Sequence, residues 1–406
     1  MKQKWILWIG FGIVFLLRFL LILKEAGKGS GDFIKAYYPA GTQVLTNPFS
    51  LYFGKGEDTC YGFVNIPILA YIFTPLTLFT QDTAARIFAV IGFIAIILTW
   101  WLLIKTTKIS GWKIVALTGL FLVNEPLYYS LRLGNTTHFV LLLLVVANYF
   151  FQVKKEIWRG VLLAIAAIIK IPFWILGIYY FASKKWRVII GYFGAILAIV
   201  GASIGLFGID LHLFWQKQCI APFADKPIGA FNMQSVNGFL ARLLLNPQLS
   251  SYKLLDIDWK FRLTRNLIIF MLIASVVLTF WILKLSSKAE EVNLEFSIIL
   301  CLAILISPIS WSHYYLVLLL IFSLYLGNQL AIPKGYGWAI LIWLSAILTS
   351  LPLLPSTSPD SNTIYGLLLS KLLVSHYFLG GILLFGTLLA AKWKIGKYSQ
   401  QITSDT

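Results

Sequence analysis

The sequence predicts an all-α, polytopic membrane protein of about twelve transmembrane helices, and three observations predict it. The 406 residues are 59% hydrophobic and 12% charged, with a mean hydropathy of +0.82, a balance outside the range of soluble globular chains. Apolar runs of about 18 or more residues recur, for instance at 5–23, 87–104, 188–207 and 267–283, and a helix of that length crosses about 30 Å of hydrocarbon. Lysines and arginines gather in the short connections between the runs, which gives the net charge of +17 a topological meaning. Soluble enzymes, secreted domains and coiled coils are excluded. A transmembrane β-barrel is excluded too, because its strands alternate apolar and polar side chains whereas these runs are apolar all round.

The elements follow in order along a single integral membrane domain, 1–406. The first run has a basic start but no small-residue cleavage site, so it is read as a retained helix. Residues 24–83 form a first outer loop with juxtamembrane helices. In it Asp32 follows Gly29, Ser30 and Gly31 and opens an amphipathic stretch, 32–45, with Phe33, Tyr37, Gly41 and Val44 on one face. Residues 63–79 resemble a span but carry Pro67 and Pro75, and counting them as one would move Lys105, Lys108 and Lys113 outside. An interfacial or re-entrant helix is expected instead. Residues 160–181 contain Lys170 followed by Pro172 and have basic clusters at both ends, so two shorter helices turning near Lys170 are expected. A second long outer loop covers 209–264, and further outer corners fall at 133–137, 308–313 and 355–363. With these assignments both termini and every short basic connection are cytoplasmic.

Most of the chemically useful residues lie on the outer side. Glu156, Glu290, Glu291, Glu295 and Asp405 sit among lysines in inner connections and read as solvated. Asp32 has two open readings, a helix N-cap and a base held at the membrane surface. Lys170 either snorkels to the interface or holds an anion as a point charge. Arg18, in the outer half of the first helix, carries the same two readings. His313, with Trp311, Tyr314 and Tyr315 in the corner after Ser307 and Pro308, reads as an aromatic-belt residue or as a sugar or phosphate contact. His138 reads as structural. No P-loop or dinucleotide motif is present, no Cys/His spacing suits zinc, and neither a metal nor another cofactor is expected. Cys60 and Cys219 both fall in outer loops, and a bond between them stays open.

Taken in order, these pieces resemble glycosyltransferase family 87 of the GT-C superfamily, which includes mycobacterial mannosyl- and arabinosyltransferases. The resemblance is carried by Asp32 with Tyr37 and Tyr38, by Asn47-Pro48 and Leu51-Tyr52, and by the stretch from Phe63 through Asn65 and Pro67 to Thr74-Pro75-Leu76. It continues through Gly134-Asn135, Lys170 with Pro172, Gln234-Ser235, Gly238 and Arg242, and Ser307-Pro308 with Trp311 and His313. Two departures are Asn65-Ile66-Pro67, which lacks a second proline, and Asn135-Thr136-Thr137, where a glutamine and an asparagine are usual.

The resemblance implies a GT-C-like fold that moves a mannose-like hexose or a pentose from a polyprenyl-phosphate donor to a lipid or glycan acceptor. Transfer is expected at the outer face of a bacterial-type plasma membrane, with inversion and with no nucleic-acid partner. Asp32 would be the base. Lys170, Arg242 and His313 would hold the donor phosphate, and Tyr37, Tyr38, Gln234, Asn237 and Trp311 would touch substrate. The rival class is a lipid or solute transporter or flippase, which intramembrane cations and broken helices also fit. It predicts internal repeats, and the two halves show no convincing one.

Overall fold

The computed structural model describes residues 2–29, 31–52, 62–353 and 363–404. Among them the backbone is helical throughout, joined by loops and two isolated bridges, Ile228 with Leu254 and Met233 with Trp311. The order is α1 (Lys2–Gly29), a π-helical turn (Phe33–Tyr37), α2 (Tyr38–Thr46), 3-10 segments at Pro48–Tyr52 and Pro67–Leu78, α3 (Gln81–Thr107), α4 (Trp112–Val123) and α5 (Glu125–Leu133). Next come α6 (Thr137–Gln152), α7 (Glu156–Ile169), a 3-10 turn at Ile171–Trp174, α8 (Ile175–Ala182), α9 (Trp186–Phe207), α10 (Ile209–Trp215), α11 (Ala221–Asp225) and α12 (Val236–Leu244). The chain closes with α13 (Trp259–Leu283), α14 (Ala289–Ile306), a 3-10 turn at Ser312–Val317, α15 (Leu318–Leu326), α16 (Tyr336–Leu348), α17 (Ile364–Leu367) and α18 (His376–Ser404).

Length and composition alone give fewer spans than the sequence reading. Among the described residues, α3, α9, α13 and the stretch Leu368–Lys397 are long and apolar enough to cross a membrane, and α4 with α5 add a fifth if the 45° bend between them is counted as one span. The other apolar helices fall short because prolines and turns cut them, as at Thr137–Gln152 and Tyr336–Leu348. The first helix is longer than the apolar run at 5–23 and carries Lys24 within it. The corner expected at 355–363 lies outside the described residues but for its last position.

The core forms around α14 and α15. Every residue from Val292 to Leu305 is buried, as are Leu318 to Leu324, so protein neighbours surround these two helices on all sides. By contrast only 11% of the apolar window of α13 is buried, which puts that helix at the periphery, where lipid would cover it.

Two ends of the bundle differ in chemistry. At one end, the carbonyl of Thr106 closing α3 accepts from Gln152 closing α6 (2.8 Å) and from Gln329 after α15 (2.9 Å), while Asn293 in the first turn of α14 donates to Gln329 (3.1 Å). Lys392 of α18 pairs there with Glu291 and Glu295 at 3.1 and 2.8 Å. Lys108, Lys154, Lys184 and Lys284 follow the C-termini of α3, α6, α8 and α13 with φ of 55°, 57°, 54° and 58°. A left-handed conformation costs a non-glycine residue about 1–2 kcal/mol, offset in part by a cation at the negative end of a helix. The other end holds the turn after α1, the α5–α6 turn, the tip between α7 and α8, and the loops before α12 and after α14.

The expected break at Lys170 is a hairpin. Arg159 in the first turn of α7 lies 5.1 Å from the ring of Tyr180 in the last turn of α8, so the two helices run antiparallel and Lys170 is at their far tip. The segment at 63–79 contains a proline-interrupted 3-10 helix of 12 residues, about 24 Å long, against α2. Gly41 permits that approach, since a Cβ there would stand 2.9 Å from the carbonyl of Phe73.

Candidate active site

Asp32 ends the turn after α1 in helical conformation, yet its carboxylate caps nothing. Instead it accepts a hydrogen bond from the Asn135 side-chain amide. The orientation of that amide follows from its other partners: the backbone N–H of Thr137 donates to Asn135 Oδ1 (3.0 Å), and the Thr137 hydroxyl does so as well (2.6 Å). An oxygen that accepts an obligate donor must be the carbonyl, so the NH2 is what meets Asp32. Glycine makes the approach possible. Gly134 closes α5 with φ of 62°, and a Cβ there would sit 2.5 Å from Phe33 Cβ, so any larger residue would lift the α5–α6 turn off the Asp32 turn.

Lys170 faces the same region. It is 7% exposed, its Nζ lies 5.0 Å from the centre of the Tyr314 ring, and it makes no hydrogen bond or ion pair among the described residues. Asp32 and Lys170 are close enough for their charges to act on each other. The tip is fixed from outside by Asn65, whose amide donates to the carbonyl of Ile169 (2.9 Å), while its own carbonyl accepts from Tyr52 (2.7 Å). This satisfies a helix-end carbonyl that would otherwise be orphaned.

Beside Lys170, and on the loops before α12 and after α14, lie buried polar atoms without partners among the described residues. Both ring nitrogens of buried His313 are unpaired, as are His138 Nε2, Asn232 Oδ1, Asn237 Oδ1 and the hydroxyls of Ser310 and Ser312. The rings of Tyr129 and Tyr314 flank His313 at 6.2 and 5.2 Å, and Asn232 donates to the Tyr129 hydroxyl (3.1 Å). Buried polar groups are normally satisfied, and a polar ligand beside Lys170 would supply the bonds that His313 and His138 lack. Among the described residues no three His, Cys, Asp or Glu side chains converge.

Several of the expected site residues have other work. Arg242 sends Nη1 to the carbonyls of Ala230 and Met233 (2.8 and 2.7 Å) and Nε to Ser375 (3.0 Å), so it clamps the loop before α12, while its buried Nη2 has no partner among the described residues. Gln234 is committed to the carbonyls of Phe231 and Val374 and to the N–H of Phe378. The Tyr38 hydroxyl donates to Phe79 (2.9 Å). Tyr37 is buried with its ring stacked on Phe73 at 4.6 Å and its hydroxyl 3.4 Å from Thr136. Trp311 contributes backbone, bridged to Met233, and packs near Tyr252. Arg18 lies over the Tyr128 ring at 4.2 Å. Cys219 is disulfide-bonded and Cys301 is free and buried, while Cys60 lies outside the described residues.

The sequence reading missed Tyr129 and Asn232, named Tyr314 only as a neighbour of His313, and set His138 aside. Their only signal was position beside turns that proved to meet. His138 hydrogen-bonds Ser130 (3.0 Å) with one nitrogen, which accounts for half of its ring.

The family model described as glycosyltransferase family 87 matches residues 63–308, more than half of the chain. The chain belongs to glycosyltransferase family 87. A curated relative, the polyprenol-phosphate-mannose-dependent alpha-(1-2)-phosphatidylinositol pentamannoside mannosyltransferase of Mycolicibacterium smegmatis (strain ATCC 700084 / mc(2)155), is 24% identical over 336 residues, which are 79% of this chain and 75% of that one. Within the family match lie Asn65, Asn135, Lys170, Asn232 and Asn237; His313 lies just past its end, and Asp32 lies outside it, in the stretch before residue 63. As a family 87 member the protein is a membrane glycosyltransferase, and its helices supply the apolar surface such an enzyme needs.

Proposed function

We propose that this family 87 enzyme transfers a mannose-like sugar from a polyprenyl-phosphate donor to a hydroxyl of a lipid or glycan acceptor. The observation that carries the reading is a carboxylate free of any capping role, near an unpaired lysine and a shell of unpaired polar atoms. The dependence on polyprenol-phosphate-mannose that the relative's name states supports the donor class.

In this reading the acceptor oxygen attacks the anomeric carbon from the face opposite the phosphate. Asp32 takes the hydroxyl proton, the carbon–oxygen bond to phosphate breaks, and the configuration inverts. The leaving polyprenyl phosphate gains charge, which Lys170 meets as a fixed cation in surroundings where charge interactions are strong. His313, Asn232, Asn237 and the two serines supply hydrogen bonds to sugar hydroxyls or phosphate oxygens. Arg242 and Gln234 position the loop that carries Asn232. A transporter would need none of this pairing of base with cation, and family membership favours transfer chemistry.

The topology belongs to the same proposal. Taking the helices as legs between the two ends gives about twelve crossings, with the lysine-rich end cytoplasmic and the Asp32 end outside.

The test is turnover of radiolabelled polyprenyl-phosphate-mannose by purified wild type and Asp32→Asn. Asparagine keeps the shape and removes the proton acceptor, so transfer should fall by about 10² or more while thermal stability stays near wild type. Retained transfer in the variant would remove Asp32 from the mechanism.

A further inference from the structure

A groove of about 750 Å³ opens between α16 and α18 at the lysine-rich end, remote from Asp32. Its mouth carries Lys334 and Lys394, with Trp338 beside them, and no Asp or Glu lines it. The ammonium of Lys394 lies 5.9 Å from the Trp338 ring, and neither lysine forms an ion pair among the described residues. Neighbouring Lys392 is already committed to Glu291 and Glu295, which leaves Lys334 and Lys394 as the cations at the groove mouth.

Below the mouth the walls turn apolar, through Leu341, Ile382, Leu383 and Ala390. From Lys394 to Ile382 the groove follows α18 for about 18 Å, close to the depth of one leaflet's acyl region. Gly386 lies along it, and a Cβ built there meets nothing within 4 Å. A glycine inside a helix costs about 0.5–1 kcal/mol relative to alanine, and here no protein contact requires it. Two cations and an indole at the interface above an apolar trough left open by a glycine match the charge and shape of one lipid molecule.

We infer that this groove binds an anionic diacyl phospholipid, its phosphate between Lys334 and Lys394 and one acyl chain along Gly386. Such a lipid would join α16 to α18 from the leaflet opposite the transfer site.

The test is native mass spectrometry of the purified full chain with an equimolar mixture of phosphatidylglycerol and phosphatidylcholine of matched acyl chains. Wild type should retain phosphatidylglycerol in preference, and K334Q/K394Q should lose at least about five-fold of that preference. Gly386→Leu should lower occupancy by both lipids while unfolding temperature in detergent and sugar transfer stay unchanged. No preference in wild type would overturn the proposal, as would a preference undiminished in K334Q/K394Q. Displacement of bound phosphatidylglycerol by millimolar inorganic phosphate would also overturn it, since the acyl chain would then contribute nothing.

Discussion

Asn135 decides what the carboxylate of Asp32 can do. Because its amide is oriented by Thr137, it offers Asp32 one donor and leaves the rest of the carboxylate available to an incoming hydroxyl. Burial at the turn beyond α1 raises the carboxyl above its usual range, while the Asn135 hydrogen bond and the charges of Lys170 and Lys35 act in the opposite sense. A base must be ionised to work, so kcat/KM should fall as pH drops through this raised value, and the acid limb should lie above that of an ordinary aspartate. Asn135→Leu removes a bond that favours the ionised form and should move the limb to higher pH. An unmoved limb in a pH–rate profile would separate Asn135 from the titrating group.

Lys170 offers a different discriminator. A buried ammonium costs desolvation energy that the Tyr314 ring and the charge of Asp32 return only in part, so Lys170→Met should leave the unfolding temperature near wild type. The same change should lower kcat/KM for a polyprenyl-phosphate sugar by about 10². A structural lysine would give the reverse pattern, and measuring both quantities on one preparation separates the two.

At the scale of elements, the site depends on turns brought together from distant sequence. Gly134→Ala places a side chain in the left-handed region, at about 1–2 kcal/mol, and drives its Cβ toward Phe33. Transfer per folded molecule should fall more than the stability change accounts for, because Asn135 moves away from Asp32. Equal activity per folded molecule would show that the contact is incidental.

Arg242 predicts another outcome. Arg242→Met strands the carbonyls of Ala230 and Met233, at about 1–3 kcal/mol each, so unfolding temperature and transfer should fall together. A loss of transfer at unchanged unfolding temperature would return Arg242 to the donor-binding set.

These elements also mark how far the sequence could be read. The break at Lys170 and Pro172 and the buried face of Phe33, Tyr37, Gly41 and Val44 were visible because proline geometry and helical periodicity are local. Lys170 was visible because an ionisable group inside an apolar run is rare, and Asp32 because it opens an amphipathic stretch directly after the first helix. The clamping role of Arg242 was hidden, since its carbonyl partners carry no side-chain signature. Tyr129 was hidden because aromatic residues abound in such chains, and only the meeting of turns distinguishes it. The span count was harder still, because helices cut by proline and 3-10 turns do not satisfy a length criterion written for continuous ones.

At the scale of the whole molecule, the separation of a lysine-rich end from the Asp32 end is itself a physical statement. Lys108, Lys154 and Lys184 close helices that reach the same end, where their charges complement helix C-termini, and the positive-inside rule then orients the entire bundle. Single cysteines at positions 105 and 154 report one end, and a cysteine at exposed Lys253 reports the other. The native background is small on two counts: Cys219 is disulfide-bonded and Cys301 is buried. In intact cells a membrane-impermeant maleimide should label position 253 and leave 105 and 154 unlabelled until the membrane is opened. Labelling of 105 and 154 from outside, with 253 protected, would turn the bundle over and place Asp32 on the cytoplasmic side. A mixed pattern, with 105 and 253 labelled together, would break the two-ended arrangement, because the five legs between them place the two positions on opposite faces.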